Sequence, residues 1–198
     1  MFEFQLAYAQ SSQKILLTSG TDEKSTQDPH LKSRFTLKRD LDFLLELHLK
    51  EEKRNSEFYA DQNFKVNTFS VIPGFVYRVH KNLRLQLNTS YRNISEESVS
   101  DQQSHFYDGE LSIAAFLLKK LSLRAQIYYL HARYSGIKGS LAEYSILQGF
   151  GDGDNFSWNF QTDYKISSIL QLQFSYNGRK AADTDPLHTL RMQLQANF

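Results

Sequence analysis

The chain has 198 residues and carries 23 Lys and Arg against 22 Asp and Glu, a formal net charge of +1. The length suits one domain, and the balanced charge excludes the basic field that gathers nucleic acid, so no nucleic-acid partner is expected. A mean hydropathy of −0.51 and the lack of any apolar run near 20 residues exclude a transmembrane helix, while a membrane barrel stays allowed because only alternate residues face lipid.

The chain begins on a period of two. Phe2, Phe4, Leu6 and Tyr8 alternate with Glu3, Gln5 and Ala7, which is a strand with one apolar face. A short polar turn is expected at 10–13 and a hydrophilic loop at about 20–30. Leu41, Phe43, Leu45, Leu47 and Leu49 form the next stripe, opposite Asp42, Glu46, His48 and Lys50. Leu83, Leu85, Leu87, Thr89 and Tyr91 repeat the pattern, as do Leu121, Leu123, Ala125, Ile127 and Tyr129. Phe156, Trp158, Phe160, Thr162, Tyr164 and Ile166 then alternate with polar residues, followed by Leu170, Leu172, Phe174 and Tyr176.

Short turns at 38–40, 80–82, 119–120 and 167–168 alternate with longer hydrophilic loops at 51–63, 93–105, 135–153 and 178–186. This asymmetry, with about eleven strands of roughly ten residues, predicts an all-β antiparallel transmembrane β-barrel, with 1–198 as one segment of a larger barrel. The competing expectation is a soluble antiparallel β-sandwich with the apolar stripe turned inward. Aromatic placement favours the membrane: Tyr8, Tyr77, Tyr91, Tyr129, Trp158, Tyr164 and Tyr176 lie on apolar faces where interfacial girdles sit.

The opposite face mixes charges. Glu46, His48, Arg84, Arg124, Asp163 and Arg191 are expected in the lumen, with both signs predicting cross-strand ion pairs and a filled interior. Glu46 and His48, two apart on one strand, share that face and are expected as an ion pair, with a metal or acid/base role as the lesser alternative. Ala114, Phe116, Leu118, Ile72 and Val76 are the apolar exceptions expected there. The run Gly149 to Asn155 lacks the glutamate of a calcium loop and reads as a loop returning into the strand at Phe156. No nucleophile elbow, P-loop or zinc-protease motif occurs, so the sequence predicts no enzyme, no cofactor and no catalytic or metal-binding residue.

Met1 to Gln5 offers neither a basic nor an apolar signal-peptide region, and counting strand direction back from Phe198 makes the first strand run inwards. Both observations predict a chain lacking the start of its barrel.

The alternation of His188, Leu190, Met192, Leu194 and Ala196 with a terminal Phe198 resembles the signal that outer-membrane proteins present to the barrel assembly machinery. Together with Asn155 to Trp158 and Tyr176 to Lys180, it resembles the C-terminal ends of large Bacteroidota outer-membrane barrels. The resemblance implies a bacterial outer-membrane location, lipid and the assembly machinery as partners, and remaining strands supplied by the same protein or another chain. It implies a structural or transport role as a pore, a translocation or assembly component, or a membrane anchor for a periplasmic part. A TonB-dependent receptor barrel is the second reading, and an outer-membrane enzyme of the lipase or protease kind is the third.

Overall fold

The computed structural model describes residues 2–17, 20–57, 63–97, 102–117, 120–135, 146–147, 150–182 and 184–196. These form one antiparallel sheet of ten strands in sequence order. The strands are β1 (Phe2–Leu17), β2 (Gly20–Lys38), β3 (Leu41–Ser56), β4 (Phe64–His80), β5 (Leu83–Glu96), β6 (Gln102–Leu117), β7 (Leu121–Ser135), β8 (Gly153–Lys165), β9 (Leu170–Lys180) and β10 (Leu187–Ala196). Every strand pairs with its chain neighbour, and among the described residues β1 and β10 do not pair with each other. The all-β antiparallel prediction holds, with ten strands where about eleven were expected.

The difference lies at the start of the chain. The polar run expected to turn at 10–13 and to loop at 20–30 is instead a continuous hairpin, paired from Phe2↔Phe35 to Leu17↔Gly20. A membrane-crossing strand needs only about 9–11 residues, so the 19 residues of β2 extend well beyond it. In the extension the apolar stripe stops, and ion pairs hold the ladder: Lys24 Nζ lies 2.8 Å from Glu52, and Arg54 lies 2.7 Å from Asp22. Losing one turn also reverses the strand count. β1 runs from the short-turn end to the long-loop end, so the parity argument for missing preceding strands falls.

Register sorts the side chains into two faces. Phe2, Phe35, Phe43, Phe75, Leu87, Leu111, Ile127 and Trp158 lie in one continuous cross-strand row, ending at Gly178 and His188. Phe2 and Phe35 meet as tilted rings at 4.7 Å between centroids, and Phe43 and Phe75 at 5.2 Å. This face carries nearly all the exposed large apolar side chains, from Phe4 and Leu6 on β1 to Met192 and Leu194 on β10. A water-soluble sandwich would bury that stripe; here the buried strand side chains, including Asp42, Ser70, Phe106, Leu130 and Asn155, all project from the other face. The polar face is therefore the lumen face, and the apolar one is the surface that lipid covers.

Both strand prolines point outwards. Pro29 opposes Tyr8, and Pro73 opposes Leu45. A proline supplies no N–H, and the ladder lapses beside each: β2–β3 pairing skips Asp28 and Pro29, and β4–β5 pairing skips Ile72 and Pro73.

Candidate functional site

The lumen face carries the chemistry, and its bottom near the short turns is built on charge. Asp42, 1% exposed, enters β3 just after the turn at 39–40. Arg34 from β2 approaches its Oδ2 to 2.5 Å and Arg78 from β4 to 2.6 Å. Glu3 of β1 lies 3.8 Å from Arg34, so four adjacent strands share one ionic cluster. Val76, expected as an apolar lumen residue, is buried beside it, paired in register with Asp42.

The middle of the face is a polar groove lined by Arg84, Gln86, Arg124, Gln126, Asn159 and Gln161. Arg84 donates to Gln86 at 2.9 Å, Arg124 lies 4.0 Å from Asp163, and Gln173 donates to Asp163 at 2.7 Å. Arg191 opposes Ser175 on the same face of β10. Of the expected apolar exceptions, Ala114 and Phe116 are exposed, Ile72 is half-buried, and Leu118 lies outside the described residues.

Towards the long loops the lumen becomes apolar. Val66, Ile94, Phe106, Leu130 and Ala132 form a buried cluster with Ile146 and Leu147 from the β7–β8 connection. Phe150 N–H donates to Leu147 C=O at 2.9 Å, and Asn155, 1% exposed, donates to the carbonyls of Gly151 and Gly153, anchoring the return into β8. Gly153 sits at φ +111, a left-handed region that favours glycine. Beside this cluster Arg92 reaches Asp108 at 2.9 Å and lies over the Phe106 ring at 5.3 Å.

Glu46 and His48 meet in the lumen, Nε2 to Oε2 at 3.5 Å, and Lys32 Nζ holds Glu46 at 3.0 Å. His48 also contacts Asp28, Nδ1 to Oδ1 at 3.1 Å, and stacks on His30 with centroids 5.1 Å apart. Asp28 and His30 belong to the segment that the sequence predicts as a loop. Their signal was the alternation Asp28, His30, Lys32, Arg34, which extends the polar face of β2, and Pro29 obscured it by marking a break.

All seven expected girdle aromatics lie on the outward face. Tyr77 and Tyr164 are near the short turns, while Tyr8, Tyr91, Tyr129 and Tyr176 are towards the long loops. Trp158 instead covers Gly178, where a Cβ would fall 2.1 Å from the indole; the glycine lets the ring lie flat on the neighbouring strand. Leu190, Met192 and Leu194 project outwards from β10 and are highly exposed, whereas Phe198 lies outside the described residues.

Beyond the apolar band the carboxyl of Asp22 is held below the usual carboxylate range by its hydrogen bond from Arg54, against a smaller upward push from burial.

No family model matches the chain, and no curated protein matches it. Solved structures do. In-vitro folded OmpT, an outer membrane protein of Vibrio cholerae, superposes with a TM-score of 0.59 at 11% identity, over 86% of this chain and 53% of that one. Outer-membrane expressed OmpT of Vibrio cholerae gives 0.58 at 11%, over 87% and 54%. The toluene transporter TodX of Pseudomonas putida gives 0.49 at 10%, over 90% and 65%. This chain has the fold of bacterial outer-membrane β-barrels. It spans about half the length of the OmpT chains it matches. The expected outer-membrane location agrees with that fold and with the outward apolar band.

One expectation is corrected by the same comparison. The lack of catalytic motifs predicts a chain that is not an enzyme; the fold shared with OmpT carries no such exclusion, because fold and function are separable. The lumen also holds a carboxylate and imidazole cluster that motif reading did not assemble, so the non-enzymatic assignment is withdrawn.

Proposed function

We propose that this chain forms the wall of an outer-membrane pore of the transport class. The observation that carries the reading is the groove in the middle of the lumen face, whose lining combines Arg84 and Arg124 with amides from three strands. Such a surface stays hydrated and offers donors and acceptors to small polar solutes, as a channel wall must. The seven outward aromatics then serve as interfacial anchors, and outer-membrane lipid is their partner. Leu190, Met192 and Leu194 act as the segment read by the barrel assembly machinery, in keeping with their outward, unobstructed position on β10.

The edges of the sheet support a larger assembly. Among the described residues β1 and β10 each pair with one neighbouring strand, and since lipid offers a sheet edge no backbone partner, further strands, from the same protein or a partner chain, complete the wall between them. The sequence resemblance supports reading that larger barrel as one of the Bacteroidota.

Planar-bilayer recording on the purified full-length protein tests the pore. Discrete conductance steps are expected, with selectivity moving towards cations in the Arg84→Glu, Arg124→Glu double variant. Folded protein that gives no conductance, or a double variant with unchanged selectivity, would refute the proposal.

A further inference from the structure

We propose that Asp28, His30 and His48 form a binding site for a divalent transition metal ion of the zinc type, set in the lumen wall midway along β2 and β3. β2 and β3 place His30 and His48 directly opposite each other, and Asp28, two residues before His30, shares their face. One ligand atom from each of the three lies within 4.8 Å of the other two. The imidazole planes are inclined by only 14°, so the rings stack on a paired backbone.

Among the described residues, the ion-pair partners of Asp28 are these two imidazoles alone, at 3.1 Å for His48 and 4.0 Å for His30. The carboxylate of Asp42, by contrast, is held between two guanidinium groups. Side-chain exposures of 26%, 17% and 23% for Asp28, His30 and His48 leave the ligand atoms partly desolvated and still reachable from the lumen.

The donor set selects the ion. Two imidazole nitrogens and one carboxylate oxygen suit zinc and its first-row neighbours, whereas calcium and magnesium take mainly oxygen ligands. The next layer is also in place. With His48 Nδ1 directed towards Asp28, its Nε2 faces Glu46 at 3.5 Å, and Lys32 fixes that carboxylate at 3.0 Å. A carboxylate behind a ligating histidine sets its tautomer and raises its basicity, which gives Glu46 a positioning role. Three protein ligands leave a coordination position for water, as loading and release through the lumen require.

The experiment uses full-length protein folded in detergent, stripped with chelator and titrated with zinc chloride by calorimetry, with cobalt(II) absorption as a second readout. One zinc per chain and the visible bands of tetrahedral cobalt are expected. His30→Ala and His48→Ala should each weaken zinc binding by about 100-fold, and Glu46→Gln by about 10-fold. His131→Ala, on the outward face, should bind as the parent does. Heat-modifiable gel migration shows that each variant is folded; should His48→Ala fail to fold, Asp28→Asn is measured in its place. Absence of zinc binding, equal binding by parent and His48→Ala, or loss that follows His131 instead would overturn the site.

Discussion

The two ends of the lumen face are filled by opposite means. Near the short turns Asp42 is buried between Arg34 and Arg78, and near the long loops Phe106 and Leu130 are buried beneath Ile146 and Leu147. The first arrangement joins three strands through one carboxylate, with a fourth attached through Glu3 on Arg34, and depends on every partner being present. The second relies on contact area, needs no directional partner, and brings a connecting segment onto the sheet. Removing the buried carboxylate leaves two guanidinium groups, each 40% exposed, facing each other without their shared partner, whereas an apolar cluster loses stability in proportion to what is removed.

The sharpest test of that contrast is Asp42→Ala, which leaves two guanidinium groups facing each other across the emptied position. It should destabilise the folded protein by about 4 kcal/mol, read from denaturant unfolding in detergent micelles. A cost under about 1 kcal/mol would mean that the cluster behaves as a solvated surface network. Leu130→Ala comes next, at about 3 kcal/mol in the same assay, since it empties part of the apolar cluster. It should also raise hydrogen exchange at the Phe150 amide, which bonds to Leu147 C=O. Exchange that stays at the parent rate would separate the connecting segment from the cluster.

The smallest effect belongs to the ionic pair outside the membrane band. The folded carboxyl of Asp22 titrates below its unfolded value, so the pair with Arg54 stabilises the hairpin extension above about pH 4 and is lost as pH falls through the folded value. Lower protection factors along the outer β2–β3 ladder at pH 3 than at pH 7, corrected for the intrinsic exchange rate at each pH, are expected, and Asp22→Asn should remove most of that difference. If the variant keeps the full acid response, another group controls the extension.

These regions also differ in how far the sequence displayed them. Wherever lipid demands an apolar residue at every second position, the strands were legible: Leu41 to Leu49 and Leu121 to Tyr129 fall within β3 and β7 as predicted. Where the strands leave the apolar band, the demand disappears while the backbone ladder continues. Residues 20–30 therefore read as a loop although most of them pair on both sides, as Lys24 does with Gln13 and with Arg54. The site suffered most from this, because Asp28 and His30 lie in that stretch and their partner His48 lies in a strand that was read correctly. Ile146 and Leu147 were hidden for a different reason: a short apolar pair in a long hydrophilic connection has no period by which to assign a partner.

The sequence by itself determined the class of structure, the outward face and most of the lumen charges, because a period of two is a local property imposed residue by residue by the surroundings of the sheet. Only the tertiary structure decided the length of the first hairpin and the direction of β1. It also decided the union of Asp28, His30 and His48 and the burial of Ile146 and Leu147. Those depend on register and on contacts between distant segments, where one shifted turn changes which side chains meet.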